Sequence, residues 1–269
     1  MKPKSKILII AGSDSSGGAG IQADIKTVTA LGGYAMTAVT AITAQNTTAV
    51  KSVVPIPPKE IEKQILFTSK DIKPDAIKIG MLHSSVVINS VIKSLQKVKT
   101  KKIILDPVMV AKGGAKLLEN EAIDALRDKL FNIADVITPN LPEAALLTAR
   151  GCAKSKSEML RQAKYMLEMG PRAVFLKGGH LEGSTSPDLL LTDKIEKWFE
   201  SDRIDTKNTH GTGCTLSSSI ASFLAKNYSI EDAVSKSKEF VTGAIRDSKK
   251  LSVGNGHGPT NHFHALKIF

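Results

Sequence analysis

The stretch THGTGCT, residues 209–215, joins a glycine-rich loop to a helix. The helix is predicted because apolar residues follow at helical spacing, at Leu216, Ile220 and Phe223. The first turn of a helix has unpaired backbone N–H groups and a partial positive charge, and glycines let an anion approach them closely. The junction therefore favours a phosphate or a developing oxyanion, although a tight turn capped by Thr212 would give the same pattern.

The composition indicates a folded protein. Its 269 residues are 42% hydrophobic, enough for one large α/β domain or two small ones. No run of about eighteen apolar residues occurs, so we expect neither a membrane span nor a signal peptide. Two cysteines, Cys152 and Cys214, are too few for a disulfide framework and fit a reducing compartment. We therefore expect a cytoplasmic protein.

The net charge of +11 does not indicate nucleic-acid binding. The lysines are scattered over predicted helix surfaces, and at 4% aromatic residues there are few rings on which bases could stack. We interpret the charge as a solvated surface that helps to attract phosphorylated ligands. Neither a nucleic acid nor a membrane is expected as a partner.

Short apolar runs alternate with helical patterns along the chain. Strands are expected at 6–11, 34–43, 75–79, 102–105, 134–138 and 173–177, with a hairpin of strands at 188–192 and 196–200. A helix is expected over about 119–130, and neither a linker nor a repeat interrupts this order. The alternation predicts an α/β fold, in which a mostly parallel central sheet carries helices on both faces, and a single domain over residues 1–269.

Polar residues follow the predicted parallel strands. Asp106 ends the fourth strand, Thr138 ends the fifth and precedes Asn140 and Glu143, and Lys177 ends the sixth. Ligands of open α/β sheets bind at this edge. Two carboxylates, a lysine and a helix N-terminus are the groups needed for Mg²⁺-assisted phosphoryl transfer. Taken singly, Asp106 or Asn140 could instead cap the following helix.

Two familiar nucleotide motifs do not account for the chain. The Walker A pattern is absent from the sequence. A G-x-G-x-x-A pattern does occur at 18–23, but it lies seven residues beyond the predicted strand, and no acidic residue closes the second strand to hold a ribose. The sequence therefore predicts neither a P-loop enzyme nor a nicotinamide dinucleotide site.

Six segments together resemble the hydroxymethylpyrimidine/phosphomethylpyrimidine kinase family of thiamine biosynthesis, which has the ribokinase-like fold. They are AGSDSSGGAGIQAD at 11–24, DPVMV at 106–110, TPNLPE at 138–143, KGGH at 177–180, the stretch at 209–216 and GHGP at 256–259. The matches run in order along nearly the whole chain. One departure is Gly113-Gly114, where the family leads us to expect a Ser-Gly turn.

The resemblance implies ATP-dependent phosphorylation of 4-amino-5-hydroxymethyl-2-methylpyrimidine and then of its monophosphate, by a homodimer that uses Mg²⁺. The residues implied to contact the pyrimidine are Gly12, Ala19, Asp24, Gln45, Met81 and Val108. Those implied to contact ATP are Asn140, Lys177, Thr209, Gly211 and Gly213. Mg²⁺ is implied to lie near Asp106, Glu143 and Thr138.

Some of these positions have simpler interpretations. A carboxamide such as Gln45 can pair with the donor–acceptor edge of an aminopyrimidine. Met81, however, could belong to the core, and Asp24 could merely complement the dipole of its helix. The pair His262 and His264 has no third ligand nearby in the sequence, which favours local packing over a metal site.

Cys214 stands where many ribokinase-like sugar kinases have an aspartate that accepts the proton of the attacking hydroxyl. The resemblance implies a catalytic role for it, together with Gly213 and Lys177. A thiol at a helix N-terminus can have a pKa below its free value of about 8.5, which would make it a base. The transition state of phosphoryl transfer is loose, so a base could also contribute little.

Two other functions stay open at this stage. Pyridoxal also presents a hydroxymethyl group on a nitrogen heteroaromatic ring, so a pyridoxal kinase on the same scaffold is the nearest alternative. A nucleotide-binding sensor without turnover is the other, and the intact Asp106, Glu143 and Lys177 disfavour it.

Overall fold

The computed structural model describes residues 2–109 and 117–266. Within them lie nine strands: β1 (Lys6–Asp14), β2 (Tyr34–Gln45), β3 (Val50–Pro55), β4 (Ala76–Ile79), β5 (Ile103–Leu105), β6 (Val136–Ile137), β7 (Val174–Lys177), β8 (Asp188–Leu191) and β9 (Glu196–Phe199). They form one sheet in the order β3-β2-β1-β4-β5-β6-β7-β8-β9. The strands β2, β1, β4, β5, β6 and β7 run parallel to one another. Antiparallel pairing joins β3 to β2, β8 to β7 and β9 to β8.

Helices cover both faces of this sheet. They are α1 (Gly20–Ala30), α2 (Pro58–Ile72), α3 (Ser85–Leu95), α4 (Asn120–Ala125), α5 (Leu141–Thr148), α6 (Lys156–Glu168), α7 (Thr212–Ala225) and α8 (Ile230–Arg246). One face packs α2 to α6 in a core that includes Leu8 and Ile10, and the other packs α1, α7 and α8 in a core that includes Ile7 and Ile9. Successive residues of a strand point to opposite faces, so β1 contributes to both cores. The predicted α/β fold is confirmed.

The predicted elements differ from the structure in three places. β1 continues to Asp14 past an irregularity between Ala11 and Ser13, so its glycine loop is shorter than expected. β3 was not predicted, and it pairs with β2 as an antiparallel edge strand of largely exposed residues. The helix expected over 119–130 is α4 followed by a π-helical turn at 126–130. Val110 and the Gly113-Gly114 departure lie outside the described residues.

No helix of the described residues is long and apolar enough to cross a membrane.

Candidate active site

A cavity of about 1080 Å³ opens where the parallel strands end. Gln45, Asp106 and Cys214 come from widely separated parts of the sequence, and all three line it. The expectation that these residues share one site is therefore met.

Most of the predicted site residues line this cavity. They are Gly12, Ala19, Gln45, Met81, Val108, Asp106, Asn140, Glu143, Lys177, Thr209, Gly211, Gly213 and Cys214. Asp24 and Thr138 do not line it, because both are fully buried behind its surface.

The start of α7 is shaped by two glycines. Gly211 adopts a left-handed φ of 79°, and a Cβ there would lie 1.9 Å from the carbonyl oxygen of Gly18, so only glycine fits this contact between the two glycine loops. A Cβ on Gly213 would lie 3.2 Å from Lys177 Nζ and 3.4 Å from an oxygen of Asp106. The glycine at 213 thus keeps open the space between the helix N-terminus and this charged pair.

Asp106 is held in the site by a lysine and a threonine. Its Oδ1 accepts hydrogen bonds from Lys177 Nζ at 3.1 Å and from Thr138 Oγ1 at 3.0 Å. Burial alone would raise the pKa of Asp106, but the charge of Lys177, a second lysine and the two hydrogen bonds hold it below its usual range. Thr138 is buried and does not line the cavity, so it contributes to the expected metal site through its hydrogen bond to Asp106.

Glu143 lies at the start of α5, where it forms a capping box with Asn140. Its Oε2 accepts the backbone N–H of Asn140 at 2.7 Å, and the Asn140 side chain accepts the N–H of Glu143. Burial raises the pKa of Glu143 to about 7, and the charge of Asp106 acts in the same direction against that of Lys177. Asn140 is therefore a helix cap as well as a cavity residue.

The oxygen ligands of Asp106 and Glu143 fit Mg²⁺. The ion binds through one or two carboxylates and completes its shell with water and substrate phosphates, and Asp106 and Glu143 supply two carboxylates. A buried carboxyl with a raised pKa is also one that a further positive charge would stabilise in its ionised form. Among the described residues, however, no group of three His, Cys, Asp or Glu side chains could hold a metal on its own.

Cys214 is the third residue of α7 and lines the cavity. Burial raises the pKa of its thiol to about 12, and the opposing effects of Lys78 and the Gly20 backbone N–H do not offset this. The expectation of a lowered thiol pKa at the helix N-terminus is therefore wrong. The desolvation of the sulfur outweighs the field of the helix.

The cavity is also lined by His210, which lies in the stretch 209–215 but to which the sequence assigned no role. His210 Nε2 lies 2.8 Å from Asp14 Oδ2 and 3.3 Å from the amide nitrogen of Gln45. Because this N–H donates to the carboxylate, it has no lone pair to accept from the Gln45 amide nitrogen. The Gln45 side-chain oxygen lies 3.4 Å from the Thr43 hydroxyl, and the Gln45 residue lines the cavity. The hydrogen bond from His210, with others from Ser16 and Ala19, overcomes the effect of burial and lowers the pKa of Asp14 to about 2.

Asp24 must be removed from the residues expected to touch the pyrimidine. Its side chain is 0% exposed, its Oδ2 lies 2.9 Å from Lys78 Nζ, and its Oδ1 accepts the hydroxyl of Ser218 at 2.7 Å. All of its polar partners are internal, because α1 turns this residue towards β4 and α7.

Three further charged residues border the cavity beside Lys177. Asp188 Oδ1 accepts the N–H of Gly178, and its Oδ2 lies 2.7 Å from Lys238 Nζ. Arg203 donates to the carbonyls of Gly179 and Leu181 and so fixes the loop after β7. No motif pointed to them, since their spacing in the sequence carries no recognisable pattern.

The histidine pair of the C-terminal segment packs locally, as expected. His262 Nε2 lies 3.0 Å from Thr215 Oγ1, and the His264 ring lies 4.9 Å from that of Phe240.

Comparison with known proteins relates this arrangement to vitamin kinases. The family model of phosphomethylpyrimidine kinase matches residues 14–261. The chain is 45% identical to the hydroxymethylpyrimidine/phosphomethylpyrimidine kinase of Salmonella typhimurium, over 96% of this chain and 97% of that protein.

Two solved structures share the fold. The phosphomethylpyrimidine kinase of Clostridium difficile is 44% identical with a TM-score of 0.79, over 90% of this chain and 99% of that one. The ADP complex of Bacillus subtilis pyridoxal kinase is 39% identical with a TM-score of 0.90, over 98% and 99%. The ribokinase-like fold is thereby confirmed.

Proposed function

Since the chain belongs to the phosphomethylpyrimidine kinase family, we propose that it transfers the γ-phosphoryl group of ATP to 4-amino-5-hydroxymethyl-2-methylpyrimidine and then to its monophosphate, in thiamine biosynthesis. One observation carries the proposal. A single cavity is lined by the Asp106–Lys177 pair, the start of α7, the Gln45 carboxamide and the Asp14–His210 pair.

The groups around Lys177 are suited to bind the phosphates of ATP. The Lys177 ammonium and the backbone N–H groups that begin at Gly213 provide positive charge for a transferred phosphoryl group. Asp106 and Glu143 would hold Mg²⁺, which supplies further neutralisation of phosphate charge when it is bound. The cavity is also lined by Asn140, Thr209 and Gly211, which are proposed nucleotide contacts.

The residues around Gln45 are suited to bind an aminopyrimidine. Its carboxamide offers both a donor and an acceptor, which matches the edge formed by the ring nitrogen and the amino group. Apolar groups of Met81 and Val108 can cover the ring, and Gly12 and Ala19 leave room for it. These four residues and Gln45 are the proposed pyrimidine contacts.

In the first transfer, the hydroxymethyl oxygen forms a bond to the γ-phosphorus while the bond from that phosphorus to ADP breaks. The hydroxyl proton passes late to phosphate oxygen or water, because a thiol with a pKa of about 12 is not ionised beforehand. We propose that Cys214 orients the hydroxyl as a neutral thiol. In the second transfer the nucleophile is a phosphate oxygen.

Pyridoxal kinase is the second candidate, and one observation favours it. The TM-score to the Bacillus subtilis pyridoxal kinase, 0.90, exceeds that to the Clostridium difficile phosphomethylpyrimidine kinase, 0.79, although the identity to the latter is higher. An overall backbone match does not select between two small rings, and a substrate assay does.

The proposal is tested by following ADP release from Mg-ATP with the hydroxymethylpyrimidine, with its monophosphate and with pyridoxal. We expect turnover with the first two. Turnover with pyridoxal alone would support the second candidate, and ATP binding without turnover on any of the three would support a sensor.

We further propose that residues 1–269 form one kinase domain that acts as a cytoplasmic homodimer. The single sheet of the described residues supports one domain. Two cysteines that are both free support a reducing compartment. Exposed apolar side chains on the β2–β3 pair, Ile42 at 49% and Val54 at 52%, support self-association, which sedimentation would test.

A further inference from the structure

A second lysine–aspartate pair lies behind the wall of the cavity. Lys78 stands in the middle of β4, where alternation places it on the same face of the sheet as Ile9, beneath α1 and α7. Its side chain and that of Asp24 are both 0% exposed, and the two charged groups lie 2.9 Å apart. Together they form a sealed ion pair in the centre of the molecule.

Stability does not explain this pair. Removing two charges from water costs more than their attraction returns unless further hydrogen bonds satisfy them, and well-packed apolar residues in place of a buried pair are often as stable or more so. Neighbouring Ile77 and Ile79 show that the strand otherwise uses apolar residues. A charge that the core does not need points to a role outside the core.

The pair is oriented towards the reaction site. Lys78 has no solvent-exposed surface, but it borders the cavity wall from the inside and Asp24 does not, so the lysine is the member of the pair nearer to the cavity. Asp24 is satisfied on both oxygens, by Lys78 and by Ser218. An ammonium has three N–H groups, and within residues 2–109 and 117–266 the hydrogen bond of Lys78 goes to Asp24. The hydrogen bond to Asp24 uses one of the three N–H groups of Lys78.

The charge of Lys78 is permanent and reaches the catalytic groups. Burial opposes protonation, but the charges of Asp24, Cys214 and Asp106 outweigh it and raise the pKa of Lys78 above its ordinary value. The same ammonium acts on Cys214, where it favours negative charge.

The backbone leaves room for this ammonium. A Cβ added at Gly80, directly after β4, would lie 2.8 Å from Lys78 Nζ. A side chain at residue 80 would therefore force the Lys78 ammonium to shift from this position.

We propose that Lys78 is a positioning residue for phosphoryl transfer: from behind the cavity wall its ammonium, held by Asp24, attracts the negative charge that develops beside Cys214 at the start of α7. This inference rests on the proposed kinase function. Lys78 touches neither substrate; it acts through the groups at the head of α7 and through the field they share.

The test replaces both partners at once, with Lys78→Met and Asp24→Asn in one variant of the full-length protein. Methionine is close to lysine in shape, and asparagine can still accept the Ser218 hydroxyl, so no uncompensated charge is buried. We expect kcat to fall roughly tenfold or more, while the Kd for the hydroxymethylpyrimidine changes less than about twofold and the Tm is maintained. Lys78→Gln combined with Asp24→Asn, two neutral amides that can hydrogen-bond each other, should reproduce the fall in kcat if methionine prevents folding.

Ile77→Val is the matched control, because it alters the same strand on the opposite face. It should lower the Tm without changing kcat. The inference is overturned if kcat of the charge-free variants stays within about twofold of the unmodified enzyme, or if a fall in kcat is accompanied by a comparable rise in Kd and a fall in Tm. The unmodified enzyme is assayed first, so that absence of kinase activity there is recognised as failure of the proposed function.

Discussion

Two lysine–aspartate pairs flank the start of α7, and they differ in access to solvent. In the Asp106–Lys177 pair the lysine side chain is 15% exposed and borders the cavity, whereas both members of the Asp24–Lys78 pair are fully buried. An accessible lysine can exchange its carboxylate for an incoming phosphate, while a sealed one can only supply a fixed field. The same two residue types thus serve as a contact in one place and as a source of charge in the other.

The largest effect is expected from Asp106→Asn. This change removes one of the two carboxylates available to Mg²⁺ and leaves Lys177 without its partner, so we expect kcat to fall roughly 100- to 1000-fold. Steady-state kinetics at several Mg²⁺ concentrations measure it. A loss smaller than that of the Lys78 variants would reverse the ranking of the two pairs.

Lys177→Met comes next. The accessible lysine is proposed to meet the phosphates directly, so we expect kcat/KM for ATP to fall on the order of 100-fold and the Kd for ATP to rise. Lys78→Gln combined with Asp24→Asn should leave the Kd for ATP nearly unchanged. Calorimetric titration of both variants with a non-hydrolysable ATP analogue sharpens the distinction between a contact and a field.

Cys214→Ala is expected to lower kcat by about tenfold, with the pyrimidine Kd nearly unchanged. The thiol has a pKa of about 12, so we also expect no change of kcat between pH 6 and 9 that depends on this residue. The pH profiles of the alanine variant and the parent protein should therefore be parallel. Unchanged turnover would remove the orienting role and leave only the backbone N–H.

The smallest effect on activity concerns His262, a buried titratable group near α7 that forms no ion pair within residues 2–109 and 117–266. Burial lowers its pKa to about 4 from 6.5, so the folded state binds fewer protons than the unfolded state between these values. Stability is complete above pH 6.5 and decreases by up to about 3 kcal/mol as pH falls to 4. Urea unfolding at pH 7 and 4.5 measures it: His262→Gln should flatten the dependence, and exposed His257→Gln should not.

The contrast between the two pairs also explains what sequence could predict. Asp106 and Lys177 follow strands, where polar residues collect in α/β proteins, so their position alone indicated a site. Lys78 lies inside a strand, where a single lysine between isoleucines looks like an exposed position. Only the pairing of Ile9 with Lys78 reveals that the residue points into the core.

Other differences have similar causes. The interpretation of Asp24 followed from a motif, but a motif does not say which way a helix turns each side chain. The thiol pKa was expected to be low because the helix dipole is visible in sequence and desolvation is not. β3 is an exposed edge strand without strong alternation, so hydrophobic periodicity could not find it. The central sheet, the order of its elements along the chain and the cavity residues at strand ends could be predicted from the sequence.

The loop before α1 contacts the loop before α7, and this contact has a consequence for folding during translation. Asp14 and His210 are 196 residues apart, Asp24 and Ser218 are 194 apart, and Gly18 packs on Gly211 in the same region. These are among the most non-local contacts a chain of this length can make, and such contacts close late. A nascent chain from which α7 has not yet emerged therefore lacks these contacts and a working phosphoryl site, so ATP turnover can begin only after α7 has left the ribosome.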